Sequence, residues 1–299
     1  MNKAEHFKSG FVAVVGRPNV GKSTMINALI GDKIAIVSDK AQTTRNRIIC
    51  VYTDEEKQIV FMDTPGVHKP KHKLGEFMVD AAIESLKETE AVLFVVAGNE
   101  KRGPGDNFII EQLRRVKVPV FLVVNKIDTL QKEQVLEAIV SYQDAYPFAG
   151  VIPISAKNKE NLSELLNVLG EHLPEGPQYF PEDMITDQPE RLIISDIVRE
   201  KILLSTRDEI PHAIAVDVDE MKTRDDGTTY IRATIYCERD SQKGIIIGNK
   251  GALLRKIGAE ARMDIQKLLA TKVYLDLWVK VKKDWRNKSG MLSELGYKK

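Results

Sequence analysis

Between Phe11 and about Leu173, short apolar runs alternate with segments whose apolar residues recur at helical spacing. The runs are FVAVV, RIICVY, QIVFM, AVLFVVA, VPVFLVV and VIPI, and the alternation predicts an α/β domain, a largely parallel sheet with helices on both faces. Only the polar TDEEK separates RIICVY from QIVFM. A connection that short closes a hairpin, so one edge of the sheet is expected to be antiparallel. Helices are expected after Lys22 and over about 75–88, 106–116, 131–143 and 161–172.

The pattern breaks at LPEGPQYFPEDMITDQPE, where prolines and acids leave little to bury. Beyond it, PERLIISDIVREKILLSTRD has helical spacing, AIAVDVDEM and TYIRATIYCE alternate as strands about Asp226-Gly227, and GIIIGNKG runs into the helical ALLRKIGAEARMDIQKLLA. KVYLDLWVKVKKDW alternates again. The expected order is helix, strand, strand, helix, helix, strand, a small α+β domain. The predicted organisation is a first domain over 1–174, a linker over 175–190 and a second domain over 191–299 with a basic tail.

A chain of 299 residues with 43% apolar side chains suits two such domains, each with its own core. The net charge of +1 decides nothing until its distribution is considered. Cys50 and Cys237 lie in apolar or alternating segments without metal or redox spacing, so they are expected to be buried thiols in a reducing cytosol. Runs such as AVLFVVA fall far short of the roughly 18 residues of a membrane span, and MNKAEHFKSG lacks the apolar core of a signal peptide. A cytoplasmic chain with no transmembrane segment is expected.

GRPNVGKS fits the phosphate-loop pattern GxxxxGK[ST], directly after strand FVAVV and before a helix. The backbone from Gly16 through Asn19, Val20 and Gly21 to Thr24 would turn its N–H groups toward anionic oxygen, with the helix dipole behind them. Lys22 would reach the β and γ phosphates, and the Ser23 hydroxyl would bind Mg²⁺. DTPG closes QIVFM, placing Asp63 to hold Mg²⁺ through water and the Gly66 N–H to meet a γ-phosphate.

NKID names the base. It ends strand VPVFLVV, where a sheet of this kind leaves its ligand crevice. The Asp128 carboxylate can accept both N1–H and the 2-amino group of guanine, a pairing adenine cannot offer. Asn125 would brace the loops and approach the base, Lys126 would lay its stem over the ring, and in SAK, Ser155, Ala156 and Lys157, the Ala156 amide would meet the guanine oxygen. A phosphate-loop kinase or ATPase would share GRPNVGKS but would not need NKID.

GIIIGNKG fits neither the phosphate-loop spacing nor GxGxxG. Its GNKG matches instead the GXXG loop of KH domains, which hold about four unpaired nucleotides by their backbone. Lys250 and the amides of Gly248, Asn249 and Gly251 would approach phosphates, while Ile246, Ile247 and Leu253 would floor the bases. Lys243 and Arg255 flank the loop, and VKVKKDWRNK adds further cations, whereas the linker is acidic. Trp278 and Trp285 are read as packing residues rather than base stackers.

Taken together, these motifs resemble the Era family of translation-factor-like GTPases over almost the whole chain; QTTRN at 42–46 is also similar to that family's first switch. The resemblance implies a GTPase that binds single-stranded 16S ribosomal RNA near its 3′ end and takes part in maturation of the 30S subunit. It implies that Thr44, with Thr43 as the neighbouring alternative, contacts Mg²⁺ and senses the γ-phosphate. It also implies that Asn19 helps hold a potassium ion between the phosphates; the alternative, that Asn19 only shapes a turn, stays open. Together Lys22, Thr44, Gly66 and Asn19 form the expected catalytic set. Val67 stands where many GTPases place a water-orienting glutamine, so intrinsic turnover is expected to be slow and a non-catalytic, GTP-stabilised assembly factor is the alternative reading. His68 and His72 have metal-ligand spacing, but Pro70 between them disfavours a helix, and the segment is read as a solvated second switch. The family is placed in the cytoplasm and loosely at the inner membrane face, and a monomer is expected.

Overall fold

The structure is a computed structural model describing residues 6–38, 40, 43–66 and 72–297. Val67 and His68, on which two of the expectations rest, lie outside the described residues. The chain divides into two compact units, the first built chiefly from residues up to Asp187 and the second chiefly from Gln188 onward.

The first unit contains β1 (Lys8–Val15), α1 (Lys22–Ile30), β2 (Ile48–Thr53), β3 (Lys57–Asp63), α2 (Lys73–Glu84), β4 (Ala91–Ala97), α3 (Pro104–Leu113), β5 (Val120–Asn125), α4 (Lys132–Gln143), β6 (Gly150–Pro153) and α5 (Leu162–His172). Its strands lie in the order β2-β3-β1-β4-β5-β6. Only β2 runs antiparallel to its neighbour, as the short TDEEK connection requires. Asp54 closes that hairpin by accepting the amides of Glu56 and Lys57. Alternate residues of β1 feed opposite layers: Val12 and Val14 pack with Ile26, Leu165 and Leu169, whereas Ala13 and Val15 pack with Ile109, Leu113 and Tyr142. Burial on both faces is why these strands read as continuous apolar runs.

The acidic, proline-containing stretch after α5 runs along the sheet rather than hanging free. Glu175 bridges to Lys8, and Thr186 to Cys50. The buried Gln58 carboxamide accepts the amides of Tyr179 and Phe180 and donates to the Phe180 carbonyl. Composition missed this because the stretch docks through its backbone, which composition does not describe.

The second unit contains α6 (Glu190–Ser205), α7 (Ile210–Ala213), β7 (Ala215–Thr223), β8 (Thr229–Cys237), α8 (Asp240–Ile247), α9 (Ala252–Leu269), β9 (Val273–Val281) and α10 (Ser289–Glu294). β8 is central, antiparallel to β7 and parallel to β9. Ile231, Ala233 and Ile235 of β8 meet Ile194 and Val198 of α6 and Ile257, Ala261 and Ile265 of α9 in one core. The expected element order is observed, with the short helices α7 and α10 added. Cys50 and Cys237 are both buried and free.

Candidate functional site

The first unit gathers its polar residues at the C-terminal ends of β1, β3 and β5. After β1 the backbone turns through Asn19, whose φ of 65° lies in the left-handed region that asparagine tolerates, and through Gly21 at φ 97°. A Cβ on Gly21 would collide with the Asn125 side chain, so glycine lets the two loops touch. A Cβ on Gly66 would lie 2.8 Å from Pro18 Cα, so DTPG packs backbone against backbone on the phosphate loop.

Lys22 opens α1 and is buried, its Nζ donating to the carbonyls of Gly16 and Arg17 at 3.0 Å. Burial pulls its ammonium down from the ordinary lysine value to about 8, against the pull of Asp63. Asp63 ends β3 with no exposed surface. Burial pushes its carboxyl up, opposed by Lys22 and by hydrogen bonds from Ser23 and Thr44. The Ser23 hydroxyl donates to Asp63 Oδ2 at 2.8 Å, and Thr44 Oγ1 lies 3.0 Å from Ser23 Oγ and 3.3 Å from the same carboxylate oxygen. The three residues assigned to a metal from the sequence therefore meet at one point. Asp63 Oδ1 is buried without a hydrogen-bond partner among the described residues. An all-oxygen cluster with an orphaned carboxylate oxygen fits a hard divalent cation such as Mg²⁺.

At the end of β5, buried Asn125 joins three loops. Its Nδ2 donates to the Val20 carbonyl at 2.9 Å and its Oδ1 accepts the Ala156 amide at 3.0 Å. The Ala156 amide, expected to face a guanine oxygen, is thus engaged with Asn125 and would have to share or exchange that bond. Asp128 is oriented by the Ser155 hydroxyl, which donates to Oδ1 at 2.7 Å and accepts the Asn158 amide. Lys126 takes φ 69°, and its Nζ lies 3.7 Å from Glu100 Oε1. Lys157 is exposed.

Sequence reasoning missed Arg17. Its guanidinium donates to Asp106, which is fully buried at the start of α3, and to Glu100 in the loop after β4. Glu100 thereby lies between the phosphate-loop arginine and the base-side Lys126. The signal was tertiary: Arg17 and Asp106 are 89 positions apart.

In the second unit, GIII belongs to α8 and only GNKG is loop. Gly248, Lys250 and Gly251 take φ of 73°, 48° and 78°, and the Gly251 amide donates to the Gly248 carbonyl. Asn249, Lys250 and Arg255 are exposed and Lys243 is half-buried. The helical phase corrects one expectation: Ile246 is wholly buried in the core and cannot floor a base, while Ile245, 53% exposed, points outward and Ile247 is half-buried. The basic run is also less free than its composition implies, since Lys282 pairs with Glu294 and Arg286 with Glu238.

A family model described as a 50S ribosome-binding GTPase matches residues 11–126, and a KH-domain model matches residues 209–286. The chain is 43% identical to an Era protein whose crystal structure contains MgGDPNP and nucleotides 1506–1542 of 16S ribosomal RNA, with a TM-score of 0.95 over 98% of this chain and 99% of that one. A variant of Aquifex aeolicus Era bound to GDP·AlF4⁻ is also 43% identical, with a TM-score of 0.94 over 97% and 99% of the two chains. No helix among the described residues is long and apolar enough to cross a membrane. At such identity over nearly the full length of both chains, with a GTPase model on the first unit and a KH model on the second, the chain belongs to the Era family.

Proposed function

We propose that this protein binds and hydrolyses GTP in its first unit and binds single-stranded 16S ribosomal RNA near its 3′ end through the GNKG loop of its second, acting in the cytoplasm as a monomer on the maturing 30S subunit. The observation that carries the GTP half is the Asn125 bridge between the phosphate loop and the Ala156 loop, beside an Asp128 oriented by Ser155. The RNA half rests on the Era relative bound to that RNA segment and on the exposed, glycine-bounded Asn249-Lys250 turn.

In the reaction, Lys22 would exchange its carbonyl partners for phosphate oxygens, and the Gly66 amide would hold the γ-phosphate. Asp128 would read guanine. Mg²⁺, when held by Ser23, Thr44 and Asp63, supplies charge neutralisation to the phosphates. Thr44 would sense the γ-phosphate from its place beside Ser23 and Asp63. With valine at position 67, no side chain there orients water, and we propose slow intrinsic turnover. Asn19 is proposed to help hold potassium beside the phosphates; equal hydrolysis rates in sodium and potassium would remove that role. Peripheral attachment to the inner membrane face would draw on the basic tail alone.

Exchanging Asp128→Asn tests the base assignment. The variant is expected to lose GTP affinity and gain affinity for xanthosine triphosphate, whose 2-oxo group takes a donated hydrogen bond. Unchanged preference for GTP would overturn the assignment. Single-turnover phosphate release, with and without RNA, separates a GTPase from a non-catalytic assembly factor.

A further inference from the structure

The sheet of the second unit has a core face and a second face that is open at Tyr274, Trp278 and Lys280 and buried at Thr234 and Tyr236. Ile231, Ala233 and Ile235 of β8 and Val273 and Val279 of β9 point into the core. Their alternates stand on the other side in register: Tyr230 beside Tyr274, Arg232 beside Asp276, Thr234 beside Trp278 and Tyr236 beside Lys280. Two of these rings are abnormally open, Tyr274 at 53% exposure and Trp278 at 54%. Trp285, by contrast, is fully buried with its indole N–H donated to the Ala213 carbonyl. The packing role read from the sequence for both tryptophans therefore holds for Trp285 alone.

The open rings are held in place. Asp276 Oδ2 accepts both the Trp278 indole N–H at 2.9 Å and the Tyr230 hydroxyl at 3.2 Å. Tyr230 and Tyr274 stack with centroids 5.9 Å apart, and the Arg224 guanidinium sits over both rings at 4.8 and 4.9 Å. Lys280 follows Trp278 on the same face and is exposed. Neither Arg224 nor Lys280 makes an ion pair among the described residues, whereas Lys222 and Arg232 are paired with Glu220.

We infer that this face is a second RNA contact, at which an unpaired base stacks on Trp278 while Lys280 and Arg224 meet its flanking phosphates. It is separate from the GNKG loop and rests on the reading that this unit binds RNA. A protein partner fits less well, because interface cores exclude charge, and here every exposed ring has a charged neighbour. Aromatic planes interleaved with unpaired cations suit single-stranded nucleic acid, whose bases each offer a π-face and whose backbone is anionic. The carboxylates of this face have partners of their own: Asp276 accepts from Trp278 and Tyr230, Asp219 accepts the Thr234 hydroxyl, Glu220 pairs with Lys222 and Arg232, and Asp217, across from Thr234, is half-buried.

The chain has two tryptophans, so intrinsic fluorescence reports the site directly. The full-length protein would be titrated with RNA corresponding to the 1506–1542 segment held by the Era relative. The same RNA, end-labelled, would be titrated with wild type, Trp278→Ala, Trp278→Phe and the double variant Asn249→Asp/Lys250→Asp. Saturating RNA is expected to quench the wild-type tryptophan signal. Trp278→Ala should weaken binding by about tenfold and Trp278→Phe by no more than about threefold, the scale of one base stacked on an aromatic ring. GTP hydrolysis without RNA should be unchanged in both. If the loop variant loses RNA while Trp278→Ala binds like wild type, or RNA leaves the fluorescence unaltered, the second contact does not exist and the loop reading survives. If wild type binds no RNA, both fall.

Discussion

Removing the Asn125 side chain should damage the nucleotide site chiefly by unbracing the loops that form it. Asn125→Ala deletes two hydrogen bonds, leaving the Val20 carbonyl and the Ala156 amide without partners in a buried place. A buried polar group stripped of its partner costs about 1–3 kcal/mol. Partial relaxation of the two loops puts the pair at roughly 2–4 kcal/mol rather than at the full sum. For a unit of this size that corresponds to a fall of roughly 5–15 °C in its unfolding temperature.

How that cost divides between stability and affinity is measurable. If the loops relax when the bridge is lost, nucleotide must pull them back, and Kd rises by up to about thirty- to a thousandfold. Thermal unfolding with and without GDP, together with displacement of a fluorescent GDP analogue, gives both quantities. Asn125→Asp adds a control: it keeps an acceptor for the Ala156 amide but sets an anion against the Val20 carbonyl, so it should not rescue. An alanine variant that unfolds at the wild-type temperature and binds GDP within about threefold would refute the bridge as organiser of the site.

Arg17→Ala should weaken GTP and GDP to the same degree and leave kcat nearly unchanged, because Arg17 braces the loop from Asp106 and Glu100 rather than from the reacting phosphate; steady-state kinetics beside GDP binding checks this, and a fall in kcat alone would contradict it. Lys22 gives a pH prediction. Its folded-state value near 8 lies below the unfolded one, so burial of its charge disfavours folding fully below pH 8, and that penalty is relieved as pH rises toward 10.5. Triphosphate favours the charged form, so binding near pH 8–9 should take up a proton and weaken as pH rises, measurable by calorimetry in buffers of different ionisation enthalpy. Asp63→Asn should raise the thermal stability of nucleotide-free protein while abolishing its Mg²⁺ response; a destabilised variant would refute the account of that carboxylate.

The front site was legible because its chemistry is local. GRPNVGKS, DTPG, NKID and SAK each sit at a strand end, and the apolar runs mark where the strands end. The hairpin edge followed from the length of TDEEK alone. What the sequence concealed depends on contacts between distant positions. Nothing near Arg17 announces Asp106, and nothing near Gln58 announces the backbone of Tyr179 and Phe180. A one-residue uncertainty in helical phase was enough to exchange Ile245 for Ile246, because neighbouring residues on a helix face about 100° apart. Trp278 and Trp285 were indistinguishable by composition; one lies on an alternating strand whose other face is core, the other in a turn that folds inward.

The expected gain in stability from Asp63→Asn and the pH behaviour of Lys22 share one cause. Two opposite charges stand buried in the front site, yet burial disfavours the ionised form of each, so their mutual attraction does not offset the loss of water. Lys22 leans on two backbone carbonyls, acceptors it can give up, and Asp63 keeps an oxygen that no described group engages. A site evolved only for stability would replace the pair with apolar side chains of similar volume, a change that is often neutral or stabilising. Keeping it makes sense if the missing complements arrive from outside: phosphate oxygens for the ammonium, a hard cation for the carboxylate. Ser23 and Thr44 already aim at the same Asp63 oxygen, so little reorganisation is left when they do. The strain of the buried pair is thus the physical counterpart of its affinity.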